Sequence, residues 1–317
     1  MGSREAGIDS SKGLEDRLSA ALRLLELADD PDAHVPELTA NAPRLLQDGD
    51  ERIRRIGVAL AARALPPEEV EALLAPRVQD PSQLVRLEAV GQLADLERPS
   101  ARPLLAAALD DSDFLVRFEA ARGLAALHHS AGLEVLIEAL DRASLRFRAL
   151  GALADLGDAR ALPAVRRVHR RWLISGFERS QAAGALARLG DPEGASWLLQ
   201  RTRRRGGADR SLAVELVGEV KAAGAWERLR EVLLDPGDPC RGAAARGLGR
   251  LGDRRALDDL VRILETPDLP IDLRLDAAEG LCLLGDTDGR ARVEAAAASW
   301  PDSGARAELR SMLGDDQ

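Results

Sequence analysis

The chain has 317 residues, a formal net charge of −9 and only eight aromatic side chains, none of them tyrosine. An acidic balance of this size argues against general adhesion to nucleic acid or to a membrane surface, although local patches remain possible. The two cysteines, Cys240 and Cys282, suggest no disulfide framework, and nowhere do 18 apolar residues follow one another to span a bilayer.

Residues Met1 to Lys12 are polar and contain glycine, with no apolar run of the leader type, so the expectation is a mobile start to a cytoplasmic protein. Leu14 to Ala28 reads as a helix with Leu14, Leu18, Ala21, Leu22 and Leu25 on one stripe, broken by Asp29-Asp30-Pro31-Asp32. Residues 13–36 are therefore expected to form an N-terminal cap. Beyond them an arginine recurs at Arg55, Arg86, Arg117, Arg146, Arg179, Arg210, Arg241 and Arg274, at intervals of 29 to 33 residues. A fixed period of this size means stacked supersecondary units, each too small to bury its own apolar face.

The rest of the repeat follows by counting from each arginine. Three residues on sits Ala89, Ala120, Ala149, Ala182, Ala213, Ala244 or Ala277, and seven on Leu93, Leu124, Leu153, Leu186, Val217, Leu248 or Leu281. Together with a further Leu or Val ten residues on, these positions share one face at 3.6 residues per turn and predict the second helix of each repeat. That helix stops at Leu-Gly-Asp four times, ending at Asp158, Asp191, Asp253 and Asp286. There glycine can take a left-handed cap and aspartate can cap the next helix. The first helix then begins, as in Ala256 to Leu264. Past Gly289, the segments Arg290 to Ala298 and Ala305 to Leu313 predict a degenerate last pair over 287–317, closed by Asp315-Asp316.

Over residues 37–286 this pattern resembles the short bacterial HEAT-like repeats, the type also found in phycobilisome lyase subunits. The resemblance implies an all-α protein: an α-solenoid with a right-handed superhelix of about eight two-helix repeats and helical caps. It also implies a surface for a protein partner, and since no cofactor motif is present none is expected. A lyase role like that of the phycobilisome subunits would rest on the fold alone. Because a solenoid grows lengthwise, one continuous domain is expected.

A cation at a helix start opposes the macrodipole, so each recurring arginine needs a compensating partner. Asp80, Asp111, Asp235 and Asp268 lie six residues before Arg86, Arg117, Arg241 and Arg274. The expectation is a structural ladder in which guanidinium groups bridge these aspartates and the free carbonyls ending the preceding helix. Arg179 and Arg210 have no acid five or six residues earlier, so the ladder is expected to break there.

The break coincides with a basic segment. Between Arg160 and Arg210 twelve arginines face four acids, a formal +8 that leaves −17 for the remainder. Its densest runs are Arg166, Arg167, His169, Arg170 and Arg171, then Arg201, Arg203, Arg204 and Arg205, with Trp172, Phe177 and Trp197 among them. Aligned on the caps, Arg166 and His169 stand where the eighth repeat has Val261 and Leu264, and Arg201 where it has Ile263. Three readings stay open: a solvated outer face, a docking surface for an acidic protein segment, or a recess for phosphate or nucleic acid.

No catalytic or metal-binding constellation is legible. The His-Glu pairs of the HEAT-like di-iron hydroxylases are missing, and His128 and His129 are adjacent on the chain, where side chains diverge. The sequence contains no phosphate loop, nucleophile elbow or Cys-x-x-Cys. Cys240, Cys282, Trp226 and Trp300 read as packing residues. The expectation is a non-catalytic protein-binding scaffold.

Overall fold

The computed structural model describes residues 13–28 and 35–314, and every regular element among them is a helix. The expected mobile start, the break at Asp29 to Asp32, His34 and the closing Asp315-Asp316 lie outside the described residues. Helix α1 (Leu14–Leu27) stands alone. Eighteen helices follow it as nine pairs. The first four pairs are α2 (Val35–Leu45) with α3 (Glu51–Ala64), α4 (Pro67–Leu74) with α5 (Gln83–Asp95), α6 (Arg102–Ala108) with α7 (Phe114–Ala126), and α8 (Leu133–Ala139) with α9 (Ala143–Leu156). Next come α10 (Leu162–His169) with α11 (Gly176–Arg188), α12 (Pro192–Arg203) with α13 (Arg210–Glu219), and α14 (Ala225–Leu234) with α15 (Arg241–Leu251). The series closes with α16 (Leu257–Glu265) and α17 (Ile271–Leu284), then α18 (Thr287–Ser299) and α19 (Ser303–Leu313).

The second helices supply the core. All seven alanines three residues after the recurring arginines are fully buried, as are Leu93, Leu124, Leu153, Leu186, Val217, Leu248 and Leu281. Each such leucine contributes about 1.5–3 kcal/mol by leaving water, and the small residue lets the neighbouring backbone come close. The approach is tightest among α13, α15 and α17, where a methyl group on Gly218 would run into the Gly247 carbonyl.

The same count explains where these helices stop. Eleven residues after the arginine stand Glu97, His128, Gly157, Gly190, Lys221, Gly252 and Gly285, and all seven have a positive φ of 49° to 89°. The cap is hydrogen-bonded as expected. In repeat five the Asp191 amide donates to the Leu186 carbonyl at 2.8 Å and the Gly190 amide to Ala187 at 3.0 Å. His128 is thus a helix terminator. The aspartates after the glycines cap the next turn, with Asp158, Asp191, Asp253 and Asp286 each accepting from a backbone amide two residues on.

Packing groups the chain into two compact parts, residues up to 142 with 155–157, and residues 143–154 with 158 onward. No helix among the described residues is long and apolar enough to cross a membrane.

Candidate functional site

In the first part the ladder has a specific geometry. Arg86 Nη1 donates to the carbonyls of Asp80 and Pro81 at 3.0 and 3.4 Å, while Nε and Nη2 grip the Asp111 carboxylate at 2.7 and 3.0 Å. The guanidinium thus takes carbonyls from its own repeat and a carboxylate from the next one. Arg54 does the same with the Asp48 and Gly49 carbonyls and the Asp80 carboxylate. The first repeat's ladder residue is therefore Arg54. Arg55 is exposed, and the small residue three positions on is Gly57, whose Cβ would meet Leu45. The carboxylates of Asp80 and Asp111 serve the arginine of the preceding repeat, and what Arg86 and Arg117 receive from the aspartates six residues before them is the backbone carbonyl.

The second part varies this theme. Arg146 pairs with Glu178 of the next repeat at 2.8 Å. Arg210, which was expected to lie in the break, is the most enclosed charge of the series: it is 1% exposed, donates to the Thr202 carbonyl and holds both Asp238 oxygens at 2.6 Å. These bonds hold the Asp238 carboxyl below its usual range. Cys240 belongs to this set, its Sγ accepting from Arg210 at 3.3 Å, and burial pushes its thiol up. Arg241 here, like Arg117 of the first part, donates hydrogen bonds only to carbonyls, and Arg274 adds Trp300, with its guanidinium 4.0 Å from the ring centre. Asp235 pairs with Arg205 and Asp268 is exposed, so neither holds the arginine six residues on.

Seven of the twelve arginines in the basic segment are ion-paired, mostly with acids beyond its ends. Arg160, Arg166, Arg170, Arg188, Arg201, Arg205 and Arg210 pair with Asp158, Asp191, Glu193, Glu219, Asp209, Asp235 and Asp238. Four of those seven acids lie outside residues 160–210. Arg167 and Arg171 are engaged as well. Arg203 and Arg204 are exposed and make no ion pair among the described residues. So much internal pairing leaves little charge for a phosphate backbone to collect. Arg166 is exposed, whereas His169 fills its apolar slot: it is 7% exposed, with its ring edge-on to Trp197 at 5.3 Å. Burial pushes this imidazole below its usual range.

The unusual surface lies at the turn between α10 and α11. Trp172 is 84% and Leu173 73% exposed, and Phe177 in the first turn of α11 is exposed too. Phe147 of α9, next in sequence to Arg146, is exposed as well. Comparable turns carry Asp80-Pro81-Ser82 or Asp111-Ser112-Asp113, whereas this one reads Arg171-Trp172-Leu173-Ile174-Ser175. The sequence signal for Leu173 is an apolar run in a turn slot, Trp172-Leu173-Ile174. Arg179 sits directly behind. Its Nη2 donates to the Arg171 carbonyl at 2.6 Å, and its buried Nε has no acceptor.

Among the described residues no group of three or more His, Cys, Asp or Glu side chains is placed to hold a metal ion.

Paired helices with a shared arginine rung define a helical repeat protein, and the family model for HEAT repeats matches residues 38–124, 70–146, 103–172 and 197–282. The chain belongs to the HEAT repeat family. Comparison with curated proteins gave no match. Among solved structures it is similar to the complex of CpcE and CpcF of phycocyanin lyase from Nostoc sp. PCC7120, at 17% identity and a TM-score of 0.48, over 91% of this chain and 97% of that one. It is also similar to Kap121p, at 12% identity and a TM-score of 0.45, over 98% of this chain and 44% of that one. Human deoxyhypusine hydroxylase in complex with glycerol is a third, at 19% identity and a TM-score of 0.34, over 78% and 96%. At such identities the likeness concerns fold.

Proposed function

We propose that this HEAT repeat chain is a scaffold that binds an acidic protein partner at the turn between α10 and α11. The carrying observation is the exposure of Trp172 and Leu173, beside Phe177, in a chain with only eight aromatic residues. Adjoining apolar side chains left in water mark an interaction surface, and aromatic residues with arginine are the types enriched at such surfaces. Arg179, directly behind the turn and without an acid among the described residues, favours an acidic partner by charge complementarity. A nucleic-acid partner would need a longer run of unpaired cations than Arg179, Arg203 and Arg204 provide.

The test is affinity capture from native extract with the wild type, with Trp172→Ser/Leu173→Ser, and with Arg203→Glu/Arg204→Glu. The apolar double variant is expected to lose a protein partner that the wild type retains, and the charge reversal to weaken its capture. A partner held equally by all three would remove this turn from the reading.

A further inference from the structure

Arg179 is a rung whose acid has been taken elsewhere. Arg146 finds its partner in Glu178, the residue immediately before the ladder arginine of the next repeat. The corresponding residue for Arg179 is Asp209, immediately before Arg210. Asp209 lies under the start of α11, where it accepts from Ser180 and its carboxyl crowds Gly176. Yet Arg201 claims both of its oxygens, at 2.7 and 2.6 Å, and this grip holds the Asp209 carboxyl below its usual range. Arg179 is left with a single bond, to the Arg171 carbonyl.

Three other ladder arginines, Arg117, Arg241 and Arg274, also have no acid among the described residues. Arg117 has two carbonyls and the Phe114 ring at 5.2 Å, and Arg274 has a carbonyl and Trp300. Arg241 holds the Leu233 carbonyl, beside no exposed aromatic turn. At Arg179 two features coincide. Its Nε and the Nε2 of His169 are both buried without a partner. The carbonyl it holds is that of Arg171, directly before the exposed Trp172-Leu173 pair.

We propose that the partner completes this rung in trans: an aspartate or glutamate side chain of the bound segment pairs with Arg179 while an adjacent apolar side chain covers Trp172 and Leu173. The proposal rests on the docking reading above and gives the partner a chemistry, an acidic segment in which a carboxylate sits beside an apolar residue. A charge-assisted pair is worth more here than at an exposed site, because the guanidinium is already held in place and short of acceptors.

The probe is a short labelled peptide of Glu, Gly and Phe, amidated so that only side-chain carboxylates are present, compared with its Gln counterpart by fluorescence anisotropy. The wild type is expected to prefer the Glu peptide by about tenfold. Arg179→Gln should level the two. Arg201→Gln, which keeps Arg179 and releases Asp209 to it, should level them as well, and it serves if the first variant folds poorly. A Glu-over-Gln preference that survives in both variants, or no binding of the Glu peptide to the wild type, overturns the proposal. If Trp172→Ser/Leu173→Ser weakens both peptides while the preference survives Arg179→Gln, the surface stands and the rung falls. If that double variant binds both peptides as the wild type does, the docking reading falls too. Dimerisation abolished by Arg179→Gln would assign the place to a second copy and overturn the peptide.

Discussion

Arg210 and Arg179 occupy the same place in successive repeats and reach opposite ends. Arg210 is sealed from solvent with a carboxylate, a carbonyl and a thiol around it, whereas Arg179 keeps one carbonyl and borders an exposed Trp-Leu pair. The difference arises in the turn after α12. There Arg201 folds back onto Asp209 and the Gly206 carbonyl, so the acid that would have reached Arg179 is consumed one repeat on. Re-routing one link breaks the repeating ion pair, and among the described residues no other acid pairs with Arg179.

The sharpest way to break this contrast is Arg210→Ala, which strands Asp238 in a buried site and should cost about 3–5 kcal/mol in a urea melt. The cost should depend on pH. Because the folded Asp238 has its pKa depressed chiefly by Arg210, the rung contributes fully above the unfolded carboxylate value and is lost as pH falls through the folded one. The gap between wild type and variant should therefore narrow in acid, and a gap that stays constant down to acid unfolding would contradict the assignment. Arg179→Ala removes a single carbonyl bond and should cost about 1 kcal/mol or less by the same melt. A loss equal to that of Arg210→Ala would erase the distinction between the two rungs. The smallest effect concerns the helix ends. Lys221→Gly relieves a left-handed conformation, φ 50°, that glycine adopts without penalty, and should raise stability by about 0.5–1 kcal/mol in thermal unfolding. His128→Gly and Glu97→Gly should act in the same direction.

Much of the fold was legible because its determinants are local and repeated. Alanine and leucine at fixed offsets mark the buried stripe, and Leu-Gly-Asp marks the stop, so helix existence and order could be read by counting. The cap extended further than the glycines suggested, since Glu97, His128 and Lys221 adopt the same positive φ without the residue that normally signals it. The ladder was harder. Its arginines are visible in sequence, but where a carboxylate completes the rung it comes from the following repeat, 25 residues downstream for Arg86 and 28 for Arg210, where no local window pairs them. A charge count over residues 160–210 omits these partners for the same reason, since Asp158, Glu219, Asp235 and Asp238 lie outside it. The first-repeat register slipped by one because Arg54 and Arg55 are adjacent, and only burial tells them apart.

The direction of the rungs has a consequence for how such a chain can lengthen. In a rung of the Arg86 type a module sends a guanidinium forward and receives one from behind, so its electrostatic accounts with its neighbours are those of a link that is donor at one side and acceptor at the other. Duplicating a whole module of this type adds one of each and leaves no orphan. Removing a whole internal module lets its two neighbours pair again, whereas a cut between modules strands the arginine of one and the aspartate of the next.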